Sequence, residues 1–141
     1  MKNIILKYIN YLYLFSLLVI LIFYLFPGDI VSYFMYRNFD TGHNSIQNPI
    51  AYAVHSIINT GGYSINHTLT FSYITVGGLL TYFKEKNFYK GIFFFIFLSI
   101  LLELIHLIIP NRAFELNDLL ANIIGVLIIF FIFQIKKKFI S

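Results

Sequence analysis

Four apolar stretches separated by polar segments dominate the chain. A helix that crosses a bilayer needs about 20 mostly apolar residues, with ~17–25 as the working range. The first, third and fourth stretches meet that length, and the second is shorter and richer in hydroxyl groups. The pattern therefore predicts an all-α, four-helix transmembrane bundle in a single domain of residues 1–141, with spans at roughly 8–26, 68–83, 91–109 and 113–135.

The second stretch carries five serine and threonine side chains between positions 68 and 81, together with the pair Gly77-Gly78. Threonine and serine hydroxyls can bond to carbonyls of their own helix, and glycine permits close contact between helices. We expect this helix to be buried among the others.

A long polar connection at 27–67 follows the first stretch and contains a short amphipathic pattern. Asn48-Pro49 is a typical helix start and Gly61-Gly62 a typical stop. Between them, apolar residues recur at the spacing of one helix face. We expect a short interfacial helix whose apolar residues are Ile50, Ala53, Val54, Ile57 and Ile58.

The first stretch has an alternative interpretation as a secretory signal peptide, since Lys2 and Lys7 precede it. Its apolar core exceeds the ~7–15 residues of such segments, and no small-residue cleavage site follows Phe26. We favour a retained span.

Composition agrees with a membrane protein. The 141 residues are 59% hydrophobic and only 11% charged, whereas soluble domains carry about 25% charge. The absence of cysteine excludes disulfides and thiolate chemistry. Membrane lipids are the expected surroundings.

The net charge of +4 is confined to the borders of the apolar stretches. It forms no basic stripe of the kind that nucleic-acid binding requires. Lysines cluster at the amino end, at 84–90 and at 136–138, while 27–66 and 110–117 each hold a single arginine. By the positive-inside rule, we expect a multi-pass protein of the cytoplasmic (inner) membrane with both termini cytoplasmic.

Ionisable residues within the spans are few and lie near one end. Charged groups at membrane depth are costly and usually face a bundle interior or a polar cavity. The third and fourth stretches form a hairpin, which turns at Pro110, and the second stretch starts from the same outer side. The topology therefore gathers one set of polar residues near an outer cavity: Asn66, His67, Glu103, His106, Asn111, Arg112, Asp118 and Asn122.

Three interpretations of this set stay open. In the structural one, Glu103 or Asp118 pairs with Arg112 and locks the hairpin, and polar residues in membrane bundles often act only in this way. A single zinc held by both histidines and both acids is compatible with the residue types, but no spacing demands it, and we expect no metal or cofactor. We favour a functional pocket.

Residues 102–106 (LELIH), 110–112 (PNR) and 118–125 (DLLANIIG) resemble the VanZ-like family of small bacterial membrane proteins. Asn66-His67 and Phe71 resemble it more loosely, with Thr70 in place of the usual histidine. The resemblance implies a four-helix protein of the cell envelope, whose namesake is associated with teicoplanin resistance. Its motif residues in this chain are Glu103, His106, Pro110, Arg112, Asp118 and Asn122.

Two functions follow as expectations. The first is binding of an anionic envelope lipid, glycan or glycopeptide-type ligand, because the Arg112 guanidinium can hold a carboxylate or phosphate in bidentate fashion. The alternative is an enzyme acting on a lipid-linked or peptidoglycan-related substrate, with His106 as general base beside Glu103 or Asp118. Ion passage is disfavoured, since no polar line continues through the inner half of the third stretch, 91–97.

Overall fold

The computed structural model describes residues 2–26, 64–83, 85–109, 112 and 114–140. These residues form four α-helices and no strand, which confirms the all-α prediction. The short 3₁₀ turn Glu85–Asn87 precedes the third helix. The helices are α1 (Lys2–Leu25), α2 (Ile65–Thr81), α3 (Phe88–Ile105) and α4 (Leu116–Ile140). The predicted interfacial helix near 48–59 lies outside the described residues, as do Pro110 and Asn111.

Three of the helices are long and apolar enough to cross a membrane, over Lys7–Leu25, Phe88–Ile105 and Leu116–Phe139. They correspond to the first, third and fourth predicted spans. With 17 residues, α2 is not among them, and its role as a fourth span stays a prediction.

The end of α3 differs from the sequence expectation. The helix stops at Ile105, not at Ile109 before the proline. The backbone N–H groups of His106, Leu107 and Ile108 each donate to the carbonyl three residues earlier, which tightens the chain into a turn. Such tightening is a common way to satisfy the last carbonyls of a helix. It leaves His106 on the final turn, facing the end of α1.

The α2 and α4 helices approach each other closely at Gly125. A Cβ atom there would collide with the carbonyl oxygen of Thr68 and come within 3.0 Å of the Ser72 nitrogen. At this approach Thr68 Oγ1 donates to Ala121 O (3.0 Å) and Ser72 Oγ donates to Gly125 O (3.1 Å). These two hydroxyls tie α2 to α4, whereas Thr81 Oγ1 donates to Gly77 O of its own helix at 2.8 Å.

The α1 helix packs on α2 through Tyr13, whose hydroxyl donates to Ile74 O at 2.6 Å. A Cβ at Gly77 would overlap the Tyr13 ring, so the predicted close contact at this glycine is confirmed. Elsewhere α1 exposes large apolar side chains such as Leu12, Phe15 and Ile22. That surface suits contact with lipid chains.

Candidate functional site

Tyr24 lies at the centre of a hydrogen-bond network that joins the four helices. Its buried hydroxyl accepts from Asn122 Nδ2 at 2.7 Å and donates to Glu103 Oε2 at 3.4 Å. The same oxygen lies 3.1 Å from His67 Nδ1. One hydroxyl of α1 thus contacts polar side chains of α2, α3 and α4.

Glu103 and His106 form the buried half of the network, with side-chain exposures of 0% and 5%. Glu103 Oε1 accepts the backbone N–H of Glu115 (3.0 Å) and lies 3.3 Å from His106 Nδ1. His106 Nε2 lies 3.0 Å from the Tyr24 carbonyl oxygen. Because a carbonyl only accepts, Nε2 carries a proton and donates. The imidazole also stacks on the Tyr24 ring, with centroids 5.0 Å apart, so the site fixes its orientation.

His67 and Asp118 form a second, more open pair, with side-chain exposures of 24% and 22%. His67 Nε2 lies 3.3 Å from Asp118 Oδ2, and Nδ1 lies 3.1 Å from Asn122 Oδ1. An amide oxygen only accepts, so Nδ1 carries a proton. The bond from Asn122 Nδ2 to Tyr24 fixes which way the amide points. Asn122 therefore links the open pair to the buried one.

Arg112 binds the end of α1. Its Nε donates to Phe26 O (3.0 Å) and its Nη2 donates to Phe23 O (3.2 Å). A cation at a helix C-terminus is favourable because the last carbonyls lack partners within the helix and carry partial negative charge. Asp118 pairs with His67, and Glu103 pairs with His106. The guanidinium thus joins the α3–α4 connection to α1, and the pairing with Glu103 or Asp118 belonged only to the structural interpretation of the site.

A pocket of about 320 Å³ opens beside this network. Of the described residues, those that line it carry no carboxylate, because the Glu103 and Asp118 side chains lie behind the histidines that they bind. The pocket is lined by Val19, Ile20, Phe23, Tyr24, Asn66, His67, Thr70, His106 and Arg112.

The structure divides the predicted site residues into two groups. Four of them line the pocket: Asn66, His67, His106 and Arg112. Glu103, Asp118 and Asn122 lie behind them and bind the two histidines. The other two predicted residues, Pro110 and Asn111, lie outside the described residues.

The sequence analysis missed Tyr24. A tyrosine near the end of an apolar stretch is typical of the aromatic belt at a membrane interface, so position and residue type gave no sign of a buried role. The backbone carbonyls of Phe23 and Phe26 were missed for a similar reason, since nothing in a side-chain pattern shows which carbonyls a distant arginine binds.

The four side chains considered for zinc form two separate pairs. Over the described ranges, no three histidine, aspartate or glutamate residues are grouped closely enough to hold a metal ion. Among the described residues that line the pocket, the polar groups are one guanidinium, two imidazole rings, one amide and the hydroxyls of Thr70 and Tyr24, and α1 supplies an apolar side.

Comparison with known proteins gives one match. A family model described as VanZ/LLP1 matches residues 11–137, a range that includes all four helices for most of their length. No curated protein and no solved structure matches the chain.

Proposed function

The chain belongs to the VanZ/LLP1 family, and we propose that its pocket binds an anionic group of a cell-envelope lipid, glycan or glycopeptide-type molecule. The observation that carries this proposal is the composition of the pocket wall. Arg112, His67 and His106 line it, while both carboxylates of the network are turned towards histidines. Among the described residues, the wall carries the Arg112 guanidinium and the polar groups of Asn66 and Thr70 and no acid, a combination that favours an anion.

The donors of Arg112 suit this role. Its two bonds to α1 carbonyls use only part of the guanidinium fork, so N–H groups remain for a ligand. Guanidinium groups hold carboxylate and phosphate through paired, charge-assisted hydrogen bonds. The carbonyl bonds also fix the position of the group before a ligand arrives, which lowers the entropic cost of binding.

The pocket's place in the membrane follows from treating α2 as a fourth span. Its 17 residues are at the lower limit for crossing a bilayer. The contacts at Tyr24 support this, because the end of α1, the start of α2, the end of α3 and the start of α4 all meet there. With the lysine-rich segments cytoplasmic, the pocket lies at the outer face of the cytoplasmic membrane.

The enzymatic alternative is less well supported. A general base needs a ring nitrogen within hydrogen-bond reach of the substrate. Both nitrogens of His106 have intramolecular partners, Glu103 and the Tyr24 carbonyl, and Asp118 binds His67 instead of His106. We therefore propose binding, without turnover, as the function of this pocket.

Titration with methyl phosphate, a minimal anionic probe, tests the proposal on protein purified in a neutral detergent. We expect saturable binding to the wild-type chain and at least tenfold weaker binding to Arg112→Gln, because a hydrogen bond to a charged group contributes about 1.5–3 kcal/mol. Isothermal titration calorimetry measures both affinities.

The matched control is Lys90→Gln, which removes one positive charge from an exposed position outside the pocket wall. We expect it to bind like wild type. If both variants bind methyl phosphate equally weakly, the loss of affinity comes from the lower net charge and not from the pocket. A wild-type chain that binds no methyl phosphate would refute the proposal.

A further inference from the structure

The pocket has two chemically different sides. On one side are polar groups from α2 and from the α3–α4 connection, including His67, His106 and Arg112. On the other are three apolar side chains of α1, namely Val19, Ile20 and Phe23. A small polar ligand, such as a sugar or a free phosphate, would leave the α1 side without a partner.

The two sides are also ordered along the helix axis. Arg112 binds carbonyls at the very end of α1, those of Phe23 and Phe26. Val19 lies four residues before Phe23, which corresponds to ~6 Å deeper at a rise of ~1.5 Å per residue. The polar groups thus lie at the helix ends and the apolar groups extend inwards, in the order of a lipid's headgroup and chain.

The pocket occupies a cleft between α1 and α2. Towards the start of α1, contacts between the two helices close this cleft. There, Tyr13 donates to Ile74 O (2.6 Å) and Ser16 bonds to Tyr73 (2.7 Å). Nearer the helix ends, the cleft is walled by Phe23, which is half exposed at 51%. Since the outer surface of α1 is apolar, the cleft borders a surface suited to lipid chains.

The volume limits what part of a molecule can enter. Ligand pockets usually measure about 300–1,000 Å³, and this one, at about 320 Å³, is at the lower end. It can hold a headgroup and the first carbons of a chain, but not a whole lipid. An occupant with a long chain must extend out of the pocket.

We propose that the occupant is a phosphate-bearing lipid taken from the bilayer. Its phosphate lies against Arg112 and the histidines, and the first methylenes of its chain lie against Val19, Ile20 and Phe23. This inference rests on the proposed anion binding, and it selects a lipid over a soluble glycan or peptide.

The test compares methyl phosphate with octyl phosphate, which share a headgroup and differ in chain length. We expect octyl phosphate to bind the wild-type chain at least tenfold more tightly, which corresponds to about 1.4 kcal/mol. Two substitutions on the apolar side should lower the ratio of octyl phosphate affinity to methyl phosphate affinity towards one: Val19→Trp, which fills that side, and Phe23→Ala, which removes part of it.

The matched control is Ile22→Trp, because Ile22 is exposed on α1 and does not line the pocket. Ile22→Trp should keep the full gain in affinity that the octyl chain gives over the methyl group. If Ile22→Trp loses the gain as well, or if octyl and methyl phosphate bind equally, the lipid inference is overturned and anion binding stands. If neither phosphate binds, both proposals fail. Circular dichroism checks that Val19→Trp and Phe23→Ala keep the wild-type helix content, and an unchanged affinity ratio in the folded variants would also overturn the inference.

Discussion

At the scale of single residues, the hydrogen-bond network depends on the hydroxyl group of Tyr24, an uncharged side chain that the pattern of ionisable residues does not identify. Tyr24 Oη contacts His67, Glu103 and Asn122, so each of these side chains depends on it for part of its hydrogen bonding. A buried polar group that loses its partner costs about 1–3 kcal/mol. The hydroxyl therefore contributes to stability through several neighbours at once.

Tyr24→Phe should lower the free energy of unfolding by about 1–3 kcal/mol, because it strands the Asn122 amide donor in a buried site. The ring and its stacking on His106 remain. Tyr73→Phe is the matched control, since the Tyr73 hydroxyl bonds to Ser16 at an exposed position. Denaturant unfolding in mixed micelles measures both, and equal losses would contradict the central role of Tyr24.

The two acid–histidine pairs should differ in their effect on stability. Glu103→Gln breaks a fully buried pair, which typically costs about 3–5 kcal/mol. Asp118→Asn breaks a partly exposed one, for which about 0–1 kcal/mol is typical. The same unfolding assay ranks the two variants. A larger loss in Asp118→Asn would show that the pairs have the opposite roles.

The acids and histidines could be found from the sequence because ionisable groups in apolar stretches are rare and costly. Their partners could not. Nothing in the sequence distinguishes a His67–Asp118 pair from a His106–Asp118 pair, since that choice depends on helix rotation. The contacts of Arg112 could not be predicted either. Every residue has a backbone carbonyl, so the sequence does not show which carbonyls an arginine binds.

At the scale of helices, the contact between α2 and α4 depends on the missing side chain of Gly125. Gly125→Ala would place a Cβ against the backbone of Thr68, and backbone cannot rotate away as a side chain can. We expect a loss of about 1–3 kcal/mol, the usual cost of overpacking. The added Cβ should also push α2 away from α4. Because His67 is on the first turn of α2, this displacement should weaken methyl phosphate binding.

Leu120→Ala is the control for Gly125→Ala, because Leu120 is on the same helix and exposed. It should leave both unfolding and binding nearly unchanged. Wild-type stability in Gly125→Ala would mean that the two helices do not approach as closely as described.

The helices themselves were predicted well because long apolar runs are a strong signal. Their ends were less accurate. The third span was expected to reach Ile109, but α3 stops at Ile105, since a tightened turn is invisible in a hydrophobicity pattern. A hydroxyl in an apolar stretch can bond within its own helix or to a neighbour: Thr81 bonds within α2, and only the packing at Gly125 shows that Thr68 and Ser72 bond to α4.

At the scale of the whole molecule, the ends of α1 and α3 meet the starts of α2 and α4 at Tyr24. Consecutive helices therefore run in opposite directions. If α2 spans the membrane, the loop at 84–90 lies on the same side as both termini. The chain has no cysteine, which makes single-cysteine labelling straightforward.

With a membrane-impermeant maleimide, we expect Ser45→Cys to react in intact cells. Lys86→Cys and Lys138→Cys should react only after permeabilisation, because the lysine-rich segments are expected to be cytoplasmic. Labelling of Lys86→Cys in intact cells would contradict a fourth span at α2. Labelling of Lys138→Cys alone would contradict the predicted orientation of the carboxyl end.

We propose that the pocket at Arg112 and the two histidines holds a phosphate-bearing envelope lipid. Native mass spectrometry of the chain, released from its own membranes in a mild neutral detergent, tests this most directly. We predict one such lipid per wild-type chain, retained by Lys90→Gln and lost from Arg112→Gln. A wild-type chain without this lipid, or equal retention of the lipid by all three proteins, would show that the Arg112 pocket is not a lipid site.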